Sequence, residues 1–298
     1  MRWLITGAGG MVGSDLARAL VDRDEETIGL DKGDLDIVDR DAVLRTVDET
    51  TPDIIVNCAA FTRVDDCETQ RELANAVNGT AVGHLAEGAS VVGALLVQLS
   101  TDFVFDGGSQ EPYEIDHATA PLSAYGHSKL LGEQAARCAT RHVILRTSWL
   151  FGEHGWNFVE AIRKQLLSGK RELRVVDDQR GRPTFTPNLA EAIIRISEHA
   201  VMQSEARGIY HYADREECTW FDFAVEIVDE MRRRSDLPTV TVNPVSSDEY
   251  PRPARRPAYS VLSTERYERV TGGVPQLWRE GLTRYFDSVP LPDVPLSI

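Results

Sequence analysis

Directly after the apolar run Trp3-Leu4-Ile5-Thr6, the chain reads Gly7-Ala8-Gly9-Gly10-Met11-Val12-Gly13. Glycines at 7, 10 and 13 on a strand-to-helix turn let the chain reverse tightly. They also bring backbone N–H groups against a pyrophosphate and seat the following helix close to the sheet. The spacing is GxxGxxG rather than GxGxxG. What narrows the fold is the sequel: Thr27–Leu30 is a second short apolar run, and Asp31 closes it where a carboxylate meets a dinucleotide's adenosine ribose. Asp31 favours NADH because it repels a 2′-phosphate. Lys32 beside it and Arg63 from a neighbouring loop offset that repulsion and would admit NADPH.

The same rhythm continues to about residue 150. Asp53–Asn57, Ala94–Ser100 and His142–Arg146 read as further strands whose apolar runs are continuous rather than alternating. Such runs are covered on both faces. Helical stripes fall between them, one through Leu73, Val77, Val82 and Leu85 and another from Ser123 to Thr140. Alternation of this kind predicts an α/β fold, a Rossmann-type doubly wound parallel sheet over residues 1–150. After Trp149 the segments lengthen (Phe158–Ser168, Leu189–Val201, Trp220–Arg234) and Pro-rich joins appear. Residues 151–298 therefore read mainly as a smaller substrate-binding lobe over the C-terminal edge of the sheet, sharing a strand or two with it.

Composition removes several functions. Lys+Arg 32 against Asp+Glu 47 gives a net charge of −15. An acidic surface repels phosphate backbones, so no nucleic-acid partner is expected. No run approaches the roughly 20 apolar residues of a membrane span. The start of the chain shows no charged-then-apolar leader, and Cys58, Cys67, Cys138 and Cys218 have no metal-binding spacing. A cytoplasmic enzyme with free thiols is the expectation.

The chemistry lies in Tyr125-Gly-His-Ser-Lys129. Tyr and Lys four apart share one helix face, and an ammonium beside the phenol is expected to lower its pKa for proton exchange with a carbonyl oxygen. Thr101, ending the preceding strand, reaches the same oxygen. Lys129 is one of four lysines (with Lys32, Lys164 and Lys170) among 32 cationic residues. His127 points away from the tyrosine side. Trp149 follows a strand at its C-terminal end, where ligands bind in such sheets, and reads as a sugar platform. Trp156 reads as either platform or core. Arg252, Arg255 and Arg256 form a local cluster suited to a diphosphate, with Arg256 the foremost.

With these motifs in place the chain resembles the extended short-chain dehydrogenase/reductases and, more narrowly, the dTDP-4-dehydrorhamnose reductase family. The resemblance runs through Leu35-Asp36-Ile37, Asn57–Asp65, Ser100–Phe105, Tyr125–Lys129 with Gly132-Glu133, Arg146–Trp149, Asn157-Phe158, Asp178–Thr184, and Arg256-Pro257 before Tyr259-Ser260. It implies NADH- or NADPH-dependent reduction of the C4 ketone of a dTDP-4-keto-6-deoxy-L-sugar, with Thr101, Tyr125 and Lys129 catalytic and Tyr125 the proton donor. It further implies that Asp36 and Ile37 flank adenine, and that Ala59, Ala60 and Phe61 run along the pyrophosphate and nicotinamide. Thr62, Val64, Phe103, Trp149, Asn157 and Arg182 would line the sugar-nucleotide pocket. A homodimer is compatible with it. Phe61 and Phe103 stand where tyrosines are frequent, which leaves the sugar open: rhamnose, or a dihydrostreptose-type product of antibiotic synthesis. Asp15 suits a magnesium ligand, but Asn188 stands where a second carboxylate would be, so no metal is expected. A non-catalytic reading also exists, because the NADP-binding regulatory subunit of methionine adenosyltransferase resembles the same family. Dehydratase chemistry is disfavoured because Asp102 is followed by Phe103 rather than a glutamate.

Overall fold

In the computed structural model, which describes residues 1–291, strands β1 (Arg2–Thr6), β2 (Glu26–Leu30), β3 (Ile54–Asn57), β4 (Leu95–Thr101) and β5 (His142–Thr147) form one sheet. Gly208–His211 adds a sixth strand beside β5, and the order is β2-β1-β3-β4-β5 and then that edge strand. Every pairing is parallel. The order reverses between β1 and β3, which opens a crevice at their carboxyl ends, where such sheets bind ligands.

Side chains alternate across the pleat, and both sides are covered. Trp3, Ile5, Val56, Val97 and Leu145 face α1 (Met11–Val21) and a later helix, Thr186–Met202. Leu4, Ile55, Leu96 and Ile144 face α2 (Arg40–Thr50) and Ala81–Val92 on the other side. This is why the strands read as unbroken apolar runs, and why all of β4 is buried.

The predicted helix through Leu73 and Leu85 is interrupted. α3 (Arg71–Asn75) passes through a π-helical turn, Ala76–Thr80, before α4 (Ala81–Val92). The wider turn changes the phase of the buried face, so Leu73 is 42% exposed while polar Asn78 is buried. α5 (Ala124–Ala136) stops short of Thr140, its end closing in tight turns at Cys138 and Ala139.

A second core gathers Phe151, Phe185, Phe223, Trp278 and Phe286 among α6 (Phe158–Leu167), a two-stranded parallel pair (Glu172–Val176 with Thr241–Val245), and the helices Trp220–Arg234 and Trp278–Ser288. α7 (Thr186–Met202), with proline in its first turn, starts earlier than its apolar pattern predicts and packs on α1. Together with the strand Gly208–His211 it returns the chain to the large sheet, so the two parts interleave beyond residue 150.

Candidate active site

The glycine turn is fixed to the end of β2. Gly7 has φ +68°, and the amides of Gly7 and Ala8 both donate to the Leu30 carbonyl, at 2.8 and 3.2 Å. A Cβ at position 13 would lie 2.3 Å from the Gly7 carbonyl oxygen. Gly9, which the motif spacing passes over, matters as well. Its amide donates to Asp31 Oδ1 at 2.7 Å, and a Cβ there would come within 2.6 Å of Asp31 Oδ2. The doubled glycine at 9 and 10 was the available signal. α1 starts at Met11 with Gly10 as its cap and no capping side chain, whereas Ser123 caps α5 and Asn157 caps α6. Val12 buries its side chain in the core, leaving its main chain as the ligand-facing edge. Uncapped amides at a positive helix end beside a bare glycine turn fit a pyrophosphate.

Around the adenosine position one expectation changes. Asp36 is exposed and accepts the Val38 amide at 3.1 Å. Ile37 is 5% exposed, and its side chain packs in the core with Leu35 and Val43. Its apolar character answers to the core beneath α2. Arg63 pairs with Asp66 at 3.2 Å and covers the Phe61 ring instead of standing beside Asp31.

Ala59, Ala60 and Phe61 follow β3 across the crevice from Gly7, whose Cα side meets the Ala59 backbone. The buried Asn78 clamps Phe61: its Oδ1 accepts the Phe61 amide at 2.7 Å, and its Nδ2 donates to the Phe61 carbonyl at 3.0 Å and to Ser128 at 2.9 Å. The π-turn thus fastens the loop after β3 to the helix carrying Tyr125 and Lys129. Sequence reading missed Asn78. A polar residue in an otherwise apolar helical stripe was the only sign of it.

Tyr125 lies in the first turn of α5, with Thr101, Asp102 and Cys67 around its hydroxyl and the Phe103 ring edge-on at 5.6 Å. The sequence reading sets the Lys129 ammonium against the phenol and lowers the tyrosine pKa. The structure corrects this. Lys129 is buried and donates to the Leu99 carbonyl at 2.7 Å. Burial, reinforced by Asp102, drives the Tyr125 pKa up, with the Thr101 hydroxyl opposing. The phenol therefore holds its proton. Burial brings Lys129 down to about 8 against the pull of Glu133 and Cys58, and it lifts Asp102 to about 6 against bonds from Ser260 and Thr101. His127 is exposed.

Beside the second core lies a cavity of about 1190 Å³, lined by Phe158, Gln179, Trp220, Tyr250, Arg252 and Arg256, among others. Thr62 and Val64 lie on the loop joining the two places: Phe61 at one end is held by Asn78, which in turn bonds Ser128 of α5, and Asp65 at the other reaches Arg256. That contact is a fork, 3.0 and 3.2 Å, with Arg252 at 3.9 Å. Burial opposes ionisation of Asp65, but Arg256 and the Ala254 amide outweigh it and hold the carboxyl below its usual range. The expected diphosphate arginine already has a carboxylate partner.

Trp149 has φ +48° and stacks on Trp220, with centroids 3.6 Å apart and planes at 8°. Gly181 admits it, since a Cβ there would lie 2.5 Å from the indole. Trp220, not Trp149, lines the cavity, and the sequence reading passed over Trp220. Asn157 is a helix cap, its Oδ1 taking the Glu160 amide and its Nδ2 the Gly152 carbonyl, not a cavity residue. Arg182 donates to the Leu262 carbonyl at 3.1 Å, and its buried Nε has no partner among the described residues. Arg255 is exposed, and Trp156 is a surface residue, 68% exposed with Lys164 over its ring. Asp15 bonds to Arg18 and to the Thr186 hydroxyl, while Asn188 donates to Asp214.

A family model described as RmlD substrate binding domain matches residues 1–290. The spore coat polysaccharide biosynthesis protein SpsK of Bacillus subtilis (strain 168) is 42% identical, covering 95% of each chain. A probable dTDP-4,6-dihydroxy-2-methyloxan-3-one 4-ketoreductase of Streptomyces antibioticus is also 42% identical, over 97% of this chain and 96% of that one. The crystal structure of dTDP-4-dehydrorhamnose reductase from Bacillus anthracis in complex with NADP superposes with a TM-score of 0.89 at 36% identity, covering 96% of this chain and 99% of that one. With a parallel sheet reversing at a glycine turn, a Thr-Tyr-Lys set at the strand ends and full-length similarity, the chain belongs to the dTDP-4-dehydrorhamnose reductase family of extended short-chain dehydrogenase/reductases.

Proposed function

We propose that this protein reduces the C4 ketone of a dTDP-4-keto-6-deoxy-L-sugar, dTDP-4-dehydrorhamnose or a close relative, using NADH or NADPH. The observation that carries the reading is the placement of a protonated phenol, Tyr125, beside Thr101 at the strand ends, joined by the loop 61–65 to a cavity rimmed by arginines.

A reduced nicotinamide, when bound, supplies the hydride. The chain's own residues manage the oxygen. Tyr125 keeps its proton until negative charge develops on the ketone oxygen, then donates it. Thr101 offers a second hydroxyl to that oxygen. Lys129, anchored on the Leu99 carbonyl, holds a preorganised positive charge at the strand ends, where it acts on developing negative charge without reorganisation. Asp31, fixed by the Gly9 amide, takes the ribose hydroxyls and favours NADH. Arg256 and Arg252 serve the diphosphate, and the Trp220 and Phe158 rings offer apolar faces to the nucleotide. The free thiols fit the reducing cytoplasm, where the reaction is placed. A homodimer belongs to the same proposal and is read by light scattering.

The test is NADH or NADPH oxidation on dTDP-4-dehydrorhamnose by the wild type and by Tyr125→Phe. The phenylalanine variant is expected to lose about 10²- to 10⁴-fold in kcat while binding the dinucleotide within about twofold of wild type. Full turnover without the hydroxyl rejects Tyr125 as donor. Dinucleotide binding with no turnover of any 4-keto sugar nucleotide by the wild type would instead favour a regulatory subunit.

A further inference from the structure

Behind the Thr-Tyr-Lys set runs a buried polar chain that the reduction itself does not use. The side chains of Arg146 and Glu133 are 2% and 0% exposed and meet in a fork, Nε to Oε1 and Nη2 to Oε2, both 2.8 Å. The Ser100 hydroxyl donates to the same Oε1 at 2.6 Å. Arg146 Nη1 approaches His211 Nε2 at 3.3 Å, and His211 Nδ1 lies 3.0 Å from the Tyr113 carbonyl. A guanidinium only donates, so Nε2 accepts and the proton sits on Nδ1. The four side chains belong to four elements: β4, β5, α5 and the edge strand.

A buried ion pair is a poor device for stability, because apolar residues of similar volume often do as well. Its position offers another use. Ser100 immediately precedes Thr101 on β4. Glu133 lies one turn beyond Lys129 and two beyond Tyr125 on α5. The Ser100–Glu133 bond therefore ties the strand end bearing one hydroxyl to the helix bearing the other, and Arg146 pins that tie to β5. Lys129 donates to the Leu99 carbonyl from β4, and its charge is influenced by Glu133, one turn on along its own helix, and by the Cys58 thiol at the end of β3. Glu133 is the carboxylate among these neighbours.

We propose that Glu133, held by Arg146 and Ser100, is a positioning residue that sets Thr101 against Tyr125 and faces the Lys129 ammonium with a negative charge. The inference rests on the reductase reading.

Its test compares the double variant Glu133→Leu/Arg146→Met with Ser100→Ala, measuring thermal unfolding, kcat, KM and the pH profile of kcat. In the double variant kcat is expected to fall at least about tenfold, since small misplacements of reacting groups carry such costs. KM should stay within about threefold, and the alkaline limb should move to lower pH as the ammonium loses its carboxylate. Ser100→Ala keeps the pair and removes only the tie, so kcat should fall severalfold with the limb in place. A purely structural pair would change melting alone. Wild-type kcat and limb in the double variant overturn the proposal. If that variant does not fold, wild-type kcat in Ser100→Ala overturns it. Tyr125→Phe, assayed in parallel, separates the two levels: full turnover there rejects the underlying reading, whereas its loss beside unaffected variants rejects only the positioning role.

Discussion

The dinucleotide side and the sugar-nucleotide side of this molecule are built on opposite principles. At the glycine turn the important contacts are main chain to main chain, Gly7 and Ala8 to Leu30, with one carboxylate, Asp31, on the Gly9 amide. These contacts lie between Gly7 and Asp31, with the Ala59 backbone packed against Gly7 from across the crevice. At the cavity the contacts are between side chains far apart in sequence: Arg256 with Asp65, Trp149 with Trp220. A backbone-built site has little room for an added atom, whereas a side-chain-built site survives deletion with changed affinity. Substitutions should therefore damage the first through the fold or through dinucleotide binding, and the second through KM.

The largest effect is expected at Gly13. A Cβ there meets the Gly7 carbonyl oxygen at 2.3 Å and Ala8 backbone atoms at 2.8 and 2.9 Å, which no rotamer relieves. Gly13→Ala should lower stability by about 3 kcal/mol, the upper part of the overpacking range, and abolish dinucleotide binding. Gly10 sharpens the contrast. Its Cβ would meet only the Gly7 carbonyl, at 3.2 Å, so Gly10→Ala should keep its melting temperature nearly unchanged and lose at least about tenfold in dinucleotide affinity by crowding the uncapped end of α1. Calorimetry of binding beside thermal unfolding reads both. Full affinity in Gly10→Ala would break the claim that this end of α1 receives the pyrophosphate.

Between the two sides stands Lys129, and its titration is the next effect in size. Burial sets its pKa at about 8, with Glu133 and Cys58 opposing. Tyr125 is shifted upward, so the phenol stays protonated across the assay range. kcat should thus fall about tenfold per pH unit above 8 as the ammonium is lost. Stability runs the other way. Between about 8 and the unfolded value of 10.5, the unfolded chain holds a proton that the folded chain has released, so this group makes folding more favourable as pH rises. A kcat profile flat to pH 10 would remove Lys129 from the chemistry.

The same division decides what the sequence discloses. The glycine turn, Asp31 and the parallel sheet are legible because local spacing and unbroken apolar runs encode them directly. Tyr125, Thr101 and Lys129 are legible as residue types, but the direction of the phenol's pKa is not. That depends on Lys129 turning to the Leu99 carbonyl and on Asp102 lying beside the ring, neither of which a spacing can report. That Asn157 serves as a helix cap and Ile37 as a core residue is equally hidden, because a motif position does not report what a side chain packs against. Trp220 escapes notice because its partner, Trp149, is brought to it only by the packing of the second core.

On the side-chain-built half, Trp220→Ala should raise KM for the sugar nucleotide by up to about tenfold, the worth of an aromatic contact in a cavity wall. Dinucleotide affinity should stay unchanged. The variant also strips the stacking partner from Trp149, so kcat reports whether that strained residue keeps its place. An equal loss of dinucleotide affinity would show the two regions to be coupled and end the contrast.

The smallest effect has the most informative sign. Arg256 is shared: its guanidinium forks onto Asp65, and it also lines the cavity. Asp65→Asn keeps the shape and removes the charge that competes with a diphosphate for Arg256. The pair is partly exposed, so the competing interaction is worth no more than about 1 kcal/mol. KM for the sugar nucleotide should accordingly fall by about two- to threefold, measured by initial rates at saturating dinucleotide. A rise in KM would mean that Asp65 works with Arg256 as a unit, fixing its orientation rather than competing for it, and that this half of the site is as preorganised as the glycine turn.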